Sequence, residues 1–143
     1  MLGSFPSVKS RECGYFYGHP QNRFWKVMNA LFDEEIKNEI EDKKNFLLKH
    51  KIALWDVIAS CDIVGSSDSS ITNVVANDIS NILKESSVEK IFVNGRKSQE
   101  LYKKYIEKQV GIKAEYLPST SPANARWTVE KLLREWKTIK DFL

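Results

Sequence analysis

The chain has 143 residues, of which 42% are hydrophobic, 11% aromatic and 29% charged. This length predicts one domain over residues 1–143, and the composition excludes a disordered tail because enough apolar side chains are present to form a packed core. With 22 Lys and Arg against 19 Asp and Glu, the net charge of +3 permits nucleic-acid binding without requiring it.

The first third of the chain is dominated by helical periodicity. Apolar residues at helical spacing predict a helix over residues 21–32. Acidic residues at the start and basic residues at the end of 33–51 match the helix dipole and predict a second helix. The apolar run 52–58 then predicts a buried parallel strand, which is interrupted by the acidic Asp56.

The rest of the chain alternates helices and strands, with turn-forming residues between them. In order, the sequence predicts a Ser-, Gly- and Asp-rich loop over 60–70, a helix over 77–86, a strand over 90–93, a helix over 98–109, a strand over 112–117, and a final helix that Asn124 caps and that runs to about Lys140.

This alternation predicts an α/β fold, because parallel strands need crossover connections that helices supply. We expect three α/β/α layers around a short, mainly parallel four-stranded sheet. Its first strand is expected to be truncated, since only Met1 and Leu2 precede Gly3, whereas strands usually have about five residues. Either the chain starts further upstream, or the sheet has a stunted first strand.

Ligands bind at the carboxyl ends of parallel strands, so the loops that follow strands are the places to look for chemistry. Four loops qualify: the loop after Gly3, the loop at Asp56, residues 94–95 and residues 118–124.

Several common sites and segments are missing. There is no Gly-rich phosphate loop, no dinucleotide-binding glycine pattern and no Gly-x-Ser-x-Gly elbow, and two His residues make a poor metal site. Cys13 and Cys61 are expected to be free thiols. Without a signal peptide or an apolar run of about 18 residues, we expect a soluble, cytoplasmic protein with no metal, no cofactor and no membrane contact.

Three segments carry a resemblance to a known family. They are Gly3-Ser4-Phe5-Pro6, the run GYFYGHPQNRFW over residues 14–25, and the run STSPANA over residues 119–125. In this order and at predicted strand ends, they resemble the uracil-DNA glycosylase superfamily, and most closely its hypoxanthine-DNA (deoxyinosine) glycosylase branch. Residues 53–71 are also similar to that branch. The mismatch-specific uracil glycosylases share the middle segment, so that segment does not distinguish between these two branches.

The resemblance implies that the protein flips a base out of DNA and hydrolyses its N-glycosidic bond. Asn22 matches an important Asn of the family and is the implied catalytic group, a neutral amide that holds the attacking water. From the residues alone, Asn22 could equally cap a helix. Phe5 stands where other branches have an acid or Asn, and a Phe cannot activate water.

A second set of residues is implied in binding the flipped base. Tyr17 would stack on the base, although its ring could instead belong to the core. Asp56 would accept a hydrogen bond from N1–H of hypoxanthine, which adenine lacks, or it could cap the 60–70 loop. The full implied set is Gly3, Ser4, Phe5, Pro6, Tyr17 and Asp56.

A third set is implied in holding the DNA backbone, because it precedes the last helix and that helix has free N–H groups at its start. Ser119 stands where uracil-specific relatives often have His. Without the resemblance, these residues could simply be helix-capping residues. The set is Ser119, Ser121, Pro122, Ala123, Asn124 and Arg126.

The sequence therefore predicts a monofunctional DNA N-glycosylase that favours hypoxanthine and leaves an abasic site, because no Lys lies in a matched motif to form a Schiff base. We expect a monomer whose partner is DNA with a damaged or deaminated base. The alternatives are a uracil or G/U(T)-mismatch glycosylase, a non-catalytic nucleic-acid-binding module and, less favoured, a small-nucleotide binder.

Overall fold

The structure is a computed structural model that describes residues 1–65 and 67–143. The strands are β1 (Leu2–Gly3), β2 (Trp55–Asp56), β3 (Ile58–Asp62), β4 (Thr72–Ala76), β5 (Ile91–Asn94) and β6 (Ala114–Leu117). The helices are α1 (Val8–Cys13), α2 (Phe24–Phe32), α3 (Ile40–Lys49), α4 (Ser80–Lys84), α5 (Arg96–Tyr105), α6 (Glu107–Val110) and α7 (Val129–Trp136), with 3₁₀ helices at Asp68–Ser70 and Lys137–Phe142.

The central sheet has four parallel strands in the order β2-β1-β5-β6, which confirms the predicted α/β class. Both β1 and β2 have only two residues, and their register pairs Gly3 with Asp56. The strand predicted over 52–58 is wrong in its bounds. It is divided between β2 and the first residue of β3, because the chain leaves the parallel sheet at Val57.

A second, two-stranded antiparallel sheet of β3 and β4 was not predicted. The Ser-, Gly- and Asp-rich residues 60–70 were interpreted as loop, yet β3 extends to Asp62, where its carboxylate accepts a hydrogen bond from Asn73. The pairing has register shifts and most of its side chains are exposed, so the alternating pattern of a half-buried strand is weak. Ser66 of the predicted loop lies outside the described residues.

The two largest differences between predicted and observed helix starts arise because turn residues take the backbone out of the helix. Asp33 has a left-handed backbone and ends α2, so the second helix starts at Ile40 and not at Asp33. Thr128, not Asn124, caps the final helix, its side chain accepting from Lys131 N. The short helix α1, capped by Ser7, was not predicted.

Buried side chains form two clusters on opposite faces of the sheet. Along β5, Phe92 packs into one cluster, with residues of α2, α3 and α7. Its neighbours Ile91 and Val93 pack into the other, with residues of α5 and β3, as the two-residue period of a strand requires. The carboxyl ends of the strands are thus supported from both sides. No helix in the described residues is both long and apolar enough to cross a membrane.

Candidate active site

A cavity of about 500 Å³ lies at the carboxyl ends of the parallel strands, between all four loops that the sequence singled out. The predicted site residues that line it are Gly3, Ser4, Phe5, Pro6, Tyr17, Asn22, Asp56, Ser119, Ser121, Pro122 and Ala123. Asn124 and Arg126 lie outside this lining. Residues that the prediction did not include also contribute, among them His19, Asp68, Asn94 and Thr120.

The floor of the cavity is a close approach of Asp56 and Tyr17 to the backbone of Gly3. A Cβ atom on Gly3 would lie 2.6 Å from Asp56 Oδ1 and 3.2 Å from the Tyr17 hydroxyl, so only glycine fits here. The Asp56 backbone carbonyl accepts a hydrogen bond from Asn77 Nδ2. Burial raises the pKa of the Asp56 carboxyl from 3.8 to about 6. The carboxylate therefore lies in the cavity floor.

Tyr17 combines a core contact with a place in the cavity lining. Its ring stacks on Phe24, with the ring centroids 4.2 Å apart and the planes at 20°. A left-handed backbone, with φ of 54°, holds Tyr17 in this position. Burial, together with the negative charge of Asp56, raises the pKa of the phenol, so the hydroxyl stays protonated and can donate a hydrogen bond. One face of the ring packs on the core, as one interpretation predicted, and the residue also lines the cavity, while stacking on a base stays a prediction.

Asn22 is held at the start of α2. Its side-chain Oδ1 accepts a hydrogen bond from Phe24 N at 2.9 Å, and its backbone N–H donates to His19. Asn22 therefore lies just before Arg23, the N-cap residue of α2, binds the first N–H of the helix and also lines the cavity. A carbonyl oxygen has two lone pairs, so Oδ1 can accept a second hydrogen bond from a water while the cap fixes its orientation.

His19 is a cavity residue that sequence reasoning set aside. Its Nδ1 accepts a hydrogen bond from Gln21 N at 3.1 Å, so in the neutral ring the proton lies on Nε2. The signal that could have found it is its place beside the Pro20-Gln21-Asn22 helix start. The sequence analysis considered His residues only as metal ligands.

The loops after β5 and β6 are joined through Asn94. Its amide donates to Thr120 Oγ1 at 3.0 Å and accepts from Thr120 N at 3.1 Å. Beside this pair, a Cβ on Gly95 would lie 3.1 Å from Ser119 Cβ, so the two loops are in close contact. Thr120 is fully buried. Asn94 thus binds both the side chain and the backbone of Thr120, which joins the two loops of this wall.

The side chains of Ser119, Ser121 and Asn124 stabilise their own loop. Ser119 Oγ accepts from Ser121 N, Ser121 Oγ accepts from Ala123 N, and Asn124 Nδ2 donates to Ser119 O. The prediction that this loop directly precedes a helix start is wrong, since a further turn brings the chain to Thr128 before α7 begins. The N–H groups of α7 therefore do not belong to this loop.

Arg23 ties this loop to α2, a role that sequence reasoning missed. Its guanidinium donates to Ser121 O at 2.7 Å, to Asn124 O at 3.0 Å and, through Nε, to Thr120 O at 3.4 Å. These partners lie about a hundred positions away in sequence, so nothing local reports them.

Comparison with known proteins decides the family. The model of the uracil DNA glycosylase superfamily matches residues 1–142. The chain belongs to this superfamily. It is similar to a hypoxanthine DNA glycosylase of Methanosarcina acetivorans, with 36% identity covering 97% of this chain and 87% of the relative. A hypoxanthine DNA glycosylase of Methanosarcina barkeri is 32% identical, over 88% of this chain and 80% of the relative.

A solved structure with a similar fold also points to this superfamily. The fold resembles the solution NMR structure of a candidate uracil DNA glycosylase from Methanosarcina acetivorans, with a TM-score of 0.75 and 30% identity. The match covers 97% of this chain and 88% of that structure. The resemblance drawn from the three sequence segments is thereby confirmed, and the cavity at the strand ends is the candidate active site of a uracil DNA glycosylase superfamily member.

Substituting Arg23 by Lys is expected to lower the free energy of unfolding by about 1.5–3 kcal/mol, because an ammonium cannot reproduce the fork that reaches three carbonyls. Urea unfolding measures this difference. Arg134→Lys, on the exposed side of α7, is the matched control and should leave stability within about 0.5 kcal/mol of the wild type. Equal effects of the two substitutions would contradict the role of Arg23.

Proposed function

We propose that this protein is a DNA glycosylase that removes hypoxanthine from DNA by hydrolysing its N-glycosidic bond. Membership in the superfamily and the names of two relatives, both hypoxanthine DNA glycosylases, support the reaction and the base. The observation that carries the proposal for this chain is the carboxylate of Asp56 in the cavity floor, held against Gly3 and beside the Tyr17 hydroxyl.

Asp56 is proposed to read the base edge. A carboxylate only accepts hydrogen bonds, and hypoxanthine offers N1–H as a donor where adenine has an acceptor lone pair. The wrong base would leave a buried polar group unpaired, which costs about 1–3 kcal/mol. Uracil also presents an N–H on its pairing edge, so the same contact accommodates a second deaminated base.

Tyr17 is proposed to hold the flipped base by stacking. Its ring is already stacked on Phe24, so a base on the opposite face would extend an existing stack and would not require the tyrosine to move. Stacking on an aromatic side chain is worth about 1–3 kcal/mol per base. The cavity of about 500 Å³ is within the usual range for small-molecule sites.

Asn22 is proposed to position the attacking water. When the glycosidic bond breaks, the sugar becomes oxocarbenium-like and strongly electrophilic, so placement of the water matters more than its activation. The hydrogen bond from Phe24 N to Asn22 Oδ1 fixes this amide, and the second lone pair of Oδ1 is available to the water. Phe5, which also lines the cavity, contributes apolar surface only.

The loop from Ser119 to Asn124 is proposed to hold the DNA backbone beside the flipped nucleotide, with Arg126 following on the exposed surface. The internal hydrogen bonds of Ser119, Ser121 and Asn124 give this loop a fixed shape. Ala123 and Arg126 are exposed beside it, where they can meet the duplex. Contacts of this kind set the register on DNA without reading sequence.

The proposed enzyme is monofunctional and acts as a monomer in the cytoplasm. No lysine is among the described residues that line the cavity, which supports hydrolysis without a Schiff base. Cys13 and Cys61 are free thiols, in keeping with a reducing compartment.

The proposal is tested with three labelled duplexes that contain a single deoxyinosine, uracil or mismatched thymine. Each is incubated with excess protein and then treated with alkali, which cleaves the strand at abasic sites. We expect cleavage at deoxyinosine, with no cleavage before alkali. Cleavage confined to uracil or mismatched thymine would move the assignment to the alternative glycosylases. Binding without cleavage of any duplex would identify a non-catalytic module.

A further inference from the structure

The loop between β3 and β4 brings a second carboxylate to the cavity. Ile63, Ser67, Asp68 and Ser69 of this loop line the cavity mouth. Ser4 Oγ donates a long hydrogen bond of 3.5 Å to Asp68 Oδ1, so the carboxylate lies on the first motif, next to Phe5. The hairpin, which was not predicted, thus places an acidic group beside the first motif. That motif itself has an aromatic residue, Phe5, where other branches have an acid or Asn.

The charge of Asp68 is not neutralised by a direct partner. Within the part of the chain that the structure describes, no ion pair includes Asp68. Burial raises the pKa of its carboxyl above 3.8, while the hydrogen bond from Ser4 and the positive charge of Lys97 act in the opposite direction. Asp68 is exposed where it lines the cavity, so its carboxylate is open to a nucleotide bound there.

A carboxylate beside the sugar has two tasks in the hydrolysis of a glycosidic bond. The electron pair of the C1′–N bond leaves with the base, positive charge develops at C1′, and the water that adds there must lose a proton. Phe5 carries no group that can take the proton, and Asn22 is a neutral amide. Asp56 lies in the floor against Gly3, and the proposed function assigns it to the base edge. Asp68, at the cavity mouth, is the carboxylate left for the sugar.

We propose that Asp68 is a catalytic residue, whose carboxylate faces C1′ of the flipped nucleotide. It stabilises the oxocarbenium-like sugar and accepts one proton of the water that Asn22 holds. The water oxygen forms the new bond to C1′, the C1′–N bond breaks, and the base departs with the electron pair and later gains a proton from solvent. This inference rests on the proposed glycosylase function.

The test is Asp68→Asn, which removes the charge but keeps an oxygen to accept the hydrogen bond from Ser4. Asp62→Asn is the matched control, since Asp62 is an exposed acid on the same hairpin that lies outside the cavity lining. Single-turnover release from deoxyinosine DNA is expected to fall about 100-fold in Asp68→Asn and to stay near wild type in Asp62→Asn. Affinity for the duplex should not weaken in either variant, because each loses a negative charge.

The pH profile separates proton transfer from a structural effect. The logarithm of the wild-type rate should rise with pH as Asp56 and Asp68 both ionise, with Lys97 favouring the ionised form of Asp68. This rising limb should become less steep in Asp68→Asn, where only Asp56 still ionises, and should keep its wild-type slope in Asp62→Asn. A wild-type-like rate, or an unchanged rising limb, in Asp68→Asn overturns the inference and leaves the glycosylase function intact. Failure of the wild type to release a base from any duplex overturns both.

Discussion

Replacing Asn22 by alanine is expected to slow base release from deoxyinosine DNA by about 100-fold or more, with little change in affinity for the duplex. The amide is fixed by the hydrogen bond that Oδ1 accepts from Phe24 N, and a misplacement of about 1 Å at a reacting centre is enough for a loss of this size. Single-turnover kinetics and fluorescence anisotropy with labelled duplex measure the two quantities separately.

Because Asn22 Oδ1 also accepts the first N–H of α2, its loss should cost about 1 kcal/mol of stability. Thr128→Ala is the control for that effect, since the Thr128 side chain also accepts a backbone N–H at a helix start, that of α7, and lies outside the cavity lining. It should lower stability by a similar amount and leave base release unchanged. If both variants lose activity equally, the defect of Asn22→Ala is one of folding and the proposed role of Asn22 is wrong.

Asp56→Asn is expected to stabilise the protein by about 2–3 kcal/mol at pH 7.5 and by much less at pH 4.5. Burial raises the pKa of Asp56 from 3.8 to about 6, so the folded state binds the proton more tightly than the unfolded state does. The stability tied to the protonated carboxyl is complete below about pH 4 and is lost as pH rises through 6. About two pKa units correspond to roughly 3 kcal/mol.

Asparagine is uncharged at both pH values, so the difference in the free energy of unfolding between variant and wild type isolates this one group. Urea unfolding at the two pH values measures it. A stability difference that does not grow with pH would contradict the burial of a charged carboxylate in the cavity floor.

The same substitution should weaken base selection. An amide can turn its N–H₂ toward N1 of adenine, whereas a carboxylate presents only acceptors to that lone pair. We expect the ratio of release from deoxyinosine to release from deoxyadenosine to fall about 10-fold or more in Asp56→Asn. A ratio equal to that of the wild type would remove Asp56 from base reading. Asp56 would then lower the free energy of unfolding without contributing to base recognition.

The place of the site was predictable because it depends on topology. Parallel strands connected by helices bring their carboxyl ends to one edge, so the loops after Gly3, Asp56, Asn94 and Leu117 had to converge. The α/β class followed from the same alternation. Neither inference required knowledge of a side-chain contact.

The features that the sequence did not reveal are of two kinds. Some depend on contacts between residues far apart in the chain, and others depend on whether a polar residue caps a helix or forms a turn. Arg23 and Asp68 meet their partners across 97 and 64 positions, respectively, and no local pattern reports such pairs. The two misplaced helix starts come from Asp33 and Asn124, residues that are equally suited to capping a helix and to forming a turn. At Asn124 the amide is used inside its own loop, so Thr128 becomes the cap.

The two sides of the cavity differ in how firmly they are held. On the side of β5 and β6, Asn94 and Thr120 satisfy each other and Arg23 donates to three loop carbonyls. On the hairpin side, the hydrogen bond of Ser4 to Asp68 is long and exposed. Two residues with no proposed part in the chemistry, Asn94 and Arg23, thus set the shape of the cavity in which the chemistry is proposed to take place.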